Sequence, residues 1–239
     1  MRKLTLLSNA STSVSSPEPD NPDENNRAGE IPKGIAGLFS AIQDEWDRAE
    51  EVIKLAEQVT AHAVIPSIQE LRYAGRRLID ALHAYTSGEP IDRVLALLED
   101  ARFSCHRSRH DAIDAAISTM GIDSEAIARQ MGYDIVHSSY PDYVNFLRRL
   151  DEVRRAIVTS RGRRSDRDEI YAAITAGDFP GLVQDYKDLR RSEVTMRIIA
   201  GRKKLGIWIS LLAGVALALP GYVMSWYFWQ YPRPAAEAP

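Results

Sequence analysis

A single cysteine, Cys105, among 239 residues rules out an intrachain disulfide and suits a reducing compartment. An excess of charge is also missing: 30 Lys and Arg stand against 33 Asp and Glu, for a net charge of −3. A dedicated nucleic-acid binder carries a strongly basic domain, so nucleic acid is not the expected partner. The sequence holds no GxSxG, GxxxxGKS/T or GxGxxG, the signatures of acyl transfer, phosphate cradling and dinucleotide binding. No cofactor and no enzymatic activity are therefore expected. Nowhere is an apolar-polar alternation sustained by β-branched residues, so no sheet is expected either.

What is present stands out against that background. From Leu205 to Trp229, 25 consecutive residues carry no Asp, Glu, Lys, Arg or His. At about 1.5 Å per residue such a helix crosses a hydrocarbon layer of about 30 Å with some tilt. Arg197, Arg202, Lys203 and Lys204 crowd its leading edge, whereas Arg233 alone follows; this asymmetry places the leading side in the cytoplasm. Trp208 lies near the leading edge, and Trp226, Trp229 and Tyr231 near the far one, where aromatic rings favour the headgroup level. The expectation is a single-pass membrane protein with residues 205–229 as the span and 230–239 as a short far-side tail. Pro220-Gly221 is expected to kink the span. The basic set Arg190, Arg191, Arg197, Arg202, Lys203 and Lys204 is expected to lie against anionic headgroups.

At the other end, Leu4 to Leu7 is too short for the apolar core of a secretory signal. Residues 1–34 are rich in Ser, Pro, Asn, Asp and Glu and are expected to form a disordered tail, because they cannot bury enough apolar surface to offset chain entropy. Residues 35–204 read as helix throughout. Ile35, Phe39, Ile42, Trp46, Ala49, Ile53, Ala56, Thr60 and Ala63 fall at alternating steps of four and three, one stripe on one face. Pro66 ends that helix, and Ser67 with Glu70 predicts a capping box for the next, with the stripe Ile68, Leu71, Gly75, Leu78, Leu82 and Tyr85. A third helix runs from Ile91 to about Met120 and a weaker one over 123–139, with a possible sub-boundary near 120–140. Tyr143, Phe146, Leu150, Val153 and Ile157 mark a fifth, ended by Gly162; Ser165 caps a short sixth carrying Ile170, Tyr171 and Ile174, ended by Gly177; a last helix with Leu182, Tyr186, Leu189 and Met196 follows Phe179-Pro180-Gly181 into the span. The fold class is all-α: an antiparallel bundle of long heptad-patterned helices, cytoplasmic, with one transmembrane helix.

Candidate chemistry is thin. His106 and His110 stand four apart in the segment Cys105 to Asp114, a spacing that puts both rings on one helical face as metal ligands require. Asp111 and Asp114 are near, but the HExxH pattern is absent and Arg107 and Arg109 are poor neighbours for a cation. A solvated helical face with Cys105 buried is the plainer reading of the same residues. Arg161 to Arg167 concentrates four arginines, balanced by Asp166, Asp168 and Glu169. Within the span Gly206, Ser210, Gly214, Ala218 and Gly221 form a small-residue stripe of the kind through which transmembrane helices associate. Three functions fit: a membrane-tethered scaffold that self-associates or docks a protein partner through helical faces, an oligomerising membrane-disrupting effector, or a metal-dependent enzyme using Cys105 to Asp114.

Overall fold

The computed structural model describes residues 33–163 and 165–230. Most of the expected N-terminal tail, Arg164, Tyr231 and the rest of the far-side tail lie outside the described residues. Seven helices and no strand are described: α1 (Lys33–Thr60), α2 (Ile65–Thr86), α3 (Ile91–Met131), α4 (Tyr133–Ser139), α5 (Tyr143–Gly162), α6 (Arg167–Ala176) and α7 (Asp178–Gln230).

α3, 41 residues long, is the central element. Both α1 and α2 pack closely along it, whereas α4 to α7 meet it more sparingly. The Ser108 hydroxyl donates to the Ser67 carbonyl at 2.8 Å, and Arg77 meets Asp100 at 3.8 Å, so α2 runs antiparallel to α3. Buried side chains from Ile35 to Met196 form one continuous core. Because neighbours cover α3 on more than one side, its buried set reaches well past a single stripe and includes Ser104, Ser108, Arg109 and His110.

The stripes expected on α5 and α7 are buried as spaced, Tyr143, Phe146, Leu150, Val153 and Ile157 on one and Leu182, Tyr186, Leu189 and Met196 on the other, while on α6 Tyr171 and Ile174 are buried and Ile170 is half-buried. Elsewhere the structure corrects the reading. α2 buries Ser67, Leu71, Ala74, Ala81 and Ala84, while Ile68, Ile79 and Leu82 are exposed. The inward face is rotated by about one residue, because small side chains let α2 and α3 approach closely and gain more dispersion contact than bulky ones would. Ser67 is no cap: α2 begins at Ile65 with Pro66 in its first turn, and the Ser67 hydroxyl has no partner. Ala61, at φ 58°, makes the tight exit from α1.

α3 does not stop near Met120 but continues through Gly121 to Met131. Gly121 is crossed by the Arg154 guanidinium of α5, which stands where a β-carbon would be. The real break is Gly132, whose φ of +91° few other residues adopt. Asp166 rather than Ser165 precedes α6. α7 opens at Asp178, so Pro180 sits in the first turn, where its missing N–H costs nothing. Pro220 lies inside α7 without ending it.

Candidate functional site

The candidate chemistry on α3 resolves into a buried polar cluster. Arg109, 2% exposed, donates through Nη1 to Glu45 Oε2 of α1 at 2.9 Å. Glu45 Oε1 also receives Arg48 at 2.7 Å. The second Arg109 nitrogen, Nη2, stands 3.2 Å from His106 Nδ1. An arginine only donates, so His106 Nδ1 accepts and that ring is neutral. Burial first holds His106 below its ordinary range, opposed by Asp168 and Glu45.

His110 is deeper. Its ring packs on Tyr171 of α6 with centroids 3.9 Å apart, and Nε2 lies 3.2 Å from Asp168 Oδ1. Neither ring nitrogen has an aligned hydrogen bond. Burial, followed by the charges of Arg167, Arg109 and His106, pushes its pKa down to about 3. The approach to Asp168 is therefore proximity of a neutral ring to a carboxylate, not an ion pair. The Tyr171 hydroxyl donates to Asp114 at 2.6 Å, and Arg161 reaches the other Asp114 oxygen at 3.2 Å. Burial and the Asp114 hydrogen bond raise the Tyr171 hydroxyl to about 12. Asp111 is raised by burial and then by the like charges of Glu70 and Asp114. The Cys105 thiol, fully buried, is pushed up to about 12; it is neither thiolate nor nucleophile near neutrality.

The sequence pair is thus brought together: both histidines face Asp168. Arg109 meets His106, however, and Arg109 and Arg167 put fixed positive charge beside the rings. Among the described residues no three His, Cys, Asp or Glu side chains stand together as a metal requires. What the cluster does is lock α1 and α6 onto α3 through interactions that span about sixty positions of sequence. The i, i+4 histidine spacing was visible; the roles of Glu45 and Tyr171 were not, since both lie far away in sequence.

The second candidate is the outer part of α7. Up to Ala200 this helix packs against the body, with Phe179, Leu182, Val183, Tyr186, Leu189 and Met196 buried. From Gly201 to Gln230 every described side chain is exposed. Trp208, Trp226 and Trp229 are 64%, 53% and 83% exposed. Around Gly206, Gly214 and Gly221 the space a β-carbon would take is empty, and Ser210 and Ala218 are exposed beside them. α7 is long and apolar enough to cross a membrane, and its most apolar stretch is wholly uncovered. At its leading flank Arg190 and Arg197 pair with Glu193 at 3.0 and 2.5 Å, and Arg191 with Asp188 at 3.0 Å. Lys203 reaches Asp134 of α4 at 2.6 Å. Arg202 and Lys204 make no ion pair among the described residues.

A third feature is a groove of about 410 Å³ between α1 and α2, lined by Phe39, Ile42, Trp46 and Leu78. It exists because α1 and α2 each pack mainly on α3 rather than on each other. The sequence pointed to Phe39 and Trp46 as core; they are half-buried and line this open edge instead.

Comparisons of the chain with protein-family models, with curated proteins and with solved structures find no match.

Proposed function

We propose that this chain is a membrane-tethered helical interaction protein, a cytoplasmic bundle held at the bilayer by the outer part of α7. The uncovered stretch from Gly201 to Gln230 carries this reading. Leaving so much apolar surface in water is strongly unfavourable, at about 25 cal/mol per Å², whereas in hydrocarbon the same side chains are at home. The basic residues Arg197, Arg202, Lys203 and Lys204 at the leading flank support a cytoplasmic body. A protein partner, or a second copy, is taken up through helical faces. The α1–α2 groove offers aromatic anchors in the body, and the stripe of Gly206, Ser210, Gly214, Ala218 and Gly221 offers close approach within the membrane.

The test has two parts. Alkaline extraction with protease accessibility from each side establishes insertion and sidedness; extraction into the soluble fraction sinks the tether. Light scattering of the detergent-solubilised protein then compares the wild type with Gly206→Leu/Gly214→Leu and with Trp46→Glu. Whichever variant abolishes a defined oligomer locates the self-associating face. A monomeric wild type leaves a different protein as the partner.

A further inference from the structure

The groove between α1 and α2 has an aromatic wall held in place. Trp46 donates from Nε1 to Glu50 at 3.0 Å and lays its ring over Gly75, where a β-carbon would stand 3.6 Å away. That contact sets the register of the two helices. From it the groove runs back along α1 past Ile42 to Phe39, and forward along α2 to Leu78. Leu82, one turn further and 57% exposed, extends the same face toward the start of α1. The α1 rim is acidic: Asp47 lines the groove, and from Asp44 to Glu51 five acids stand against Arg48 alone. An apolar groove of about 410 Å³ beside acidic side chains suits a short motif of leucines and basic residues.

The chain itself carries one. Residues 1–32 lie outside the described residues, and their large apolar side chains gather in one place, Met1, Leu4, Leu6 and Leu7 around Arg2 and Lys3. Between Ser8 and Pro32 only Val14 and Ile31 are large and apolar, and five acids stand against Arg27. Leu4 and Leu7 are three apart, so a single helical turn presents both on one face.

Reach agrees with chemistry. Phe39 and Trp46 stand about 9 and 20 Å along α1 from Lys33. A random coil of 25 residues, the length of 8–32, spans about 25–30 Å. Because the two lengths match, the motif meets the groove at an effective concentration on the order of millimolar. At that concentration an intrinsic Kd of about 0.1 mM fills the groove about nine-tenths of the time. A second copy or another protein has no such advantage.

We propose that the segment Arg2 to Leu7 docks in the α1–α2 groove of its own chain, its leucines against Phe39, Trp46 and Leu78 and its basic pair against Asp47. So docked, it covers a face through which the body takes up a partner, and the partner must displace it. The inference rests on the reading of the groove as a docking face, and the experiment separates the two.

Because Cys105 is fully buried, disulfide formation under a mild oxidant reports on new cysteines alone. In the full-length protein in detergent, Thr5→Cys is combined with Gln43→Cys, exposed on the groove wall, or with Gly37→Cys, exposed on α1 away from the groove, with open space around it and nearer to Lys33. The pair with Gln43→Cys is expected to close within one chain at least about tenfold faster than the pair with Gly37→Cys. Leu4→Ser/Leu7→Ser, which touches no residue of the described body, should bring the two rates together. Equal rates, or a preference that survives Leu4→Ser/Leu7→Ser, overturn the docking and leave the groove open to another chain. A disulfide that joins two chains overturns the assignment to the same chain. A preference present in detergent and lost in phosphatidylserine vesicles gives the segment to the bilayer and also overturns the docking. Fast closure within one chain, with no oligomer or partner gained by Leu4→Ser/Leu7→Ser, upholds the docking and removes the groove from the interaction reading.

Discussion

The two parts of α7 are one uninterrupted helix in two different situations. Between Asp178 and Ala200 its apolar residues are spaced, and the spaced ones, from Phe179 to Met196, are buried against the body. From Leu205 to Trp229 the helix is apolar all round, and every described side chain there is uncovered. An amphipathic stripe tells a helix which side to hide, and a protein core satisfies it. A helix without a polar side needs a surrounding that is apolar in every direction, which a body of this size does not supply but a bilayer does. The difference shows that a polar face, present on the inner part and absent from Leu205 to Trp229, separates the packed part from the uncovered part.

The comparison breaks most severely where the body holds buried charge. Arg109→Leu takes from half-buried Glu45 its one buried partner, leaving only the exposed Arg48, and is expected to destabilise the body by about 3–5 kcal/mol. Glu45→Leu/Arg109→Leu together should recover much of that loss, because no orphan charge remains. Denaturant titration of the full-length protein in mild detergent, followed by helicity, measures both. Matched truncations sharpen the contrast. Leu98→Ala, at a fully buried site on α3, is expected to cost about 2–5 kcal/mol, whereas Leu212→Ala, on the uncovered helix, should leave the same transition unmoved. Equal effects would mean that the outer helix packs on the body after all.

A charge in the middle of the uncovered stretch attacks the other side of the comparison. Leu217→Arg is expected to make membrane insertion less favourable by about 2.5–3.5 kcal/mol, shifting protein from the membrane pellet to the soluble or aggregated fraction without altering the body's denaturation. The histidines give a smaller, pH-dependent effect. His110 titrates near 3 in the folded chain against an ordinary value of 6.5, so on acidification the unfolded chain takes up a proton that the folded chain refuses. Stability from this group is complete above about pH 6.5 and falls below it by at most about 1.4 kcal/mol per pH unit. His110→Phe, which keeps a ring against Tyr171, should flatten that component of the acid profile. Smallest is Ala61→Gly: relieving a positive φ is expected to stabilise by about 1 kcal/mol or less, seen as a slight rise in the denaturation midpoint.

Much of the body was legible because a helical period is a local property. The stripes of α5, α6 and inner α7 follow from spacing alone, and all of those residues but the half-buried Ile170 are buried. The failures share one cause. On α2 two stripes satisfy the same spacing, Ile68-Leu71-Gly75-Leu78-Leu82 and Ser67-Leu71-Ala74-Leu78-Ala81. Weight by size favours the first, but close approach to α3 selects the second. Gly121 reads as a break, yet it lies inside α3 with Arg154 laid across it. Pro180-Gly181 reads as a linker, yet it falls inside the first turn of α7, where proline fits.

The sequence by itself determined the helical class, the length and flanking charge of the uncovered stretch, and the pairing of His106 with His110 on one face. These follow from composition and from periods of three and four, which no distant residue can alter. Only the tertiary structure decided that Arg109 reaches Glu45 and His106, that Tyr171 stacks on His110 from α6, and that Lys203 turns to Asp134. It also decided that Phe39 and Trp46 border a groove rather than fill a core. Each of those outcomes depends on which surface another helix presents, and that information lies tens of residues away along the chain.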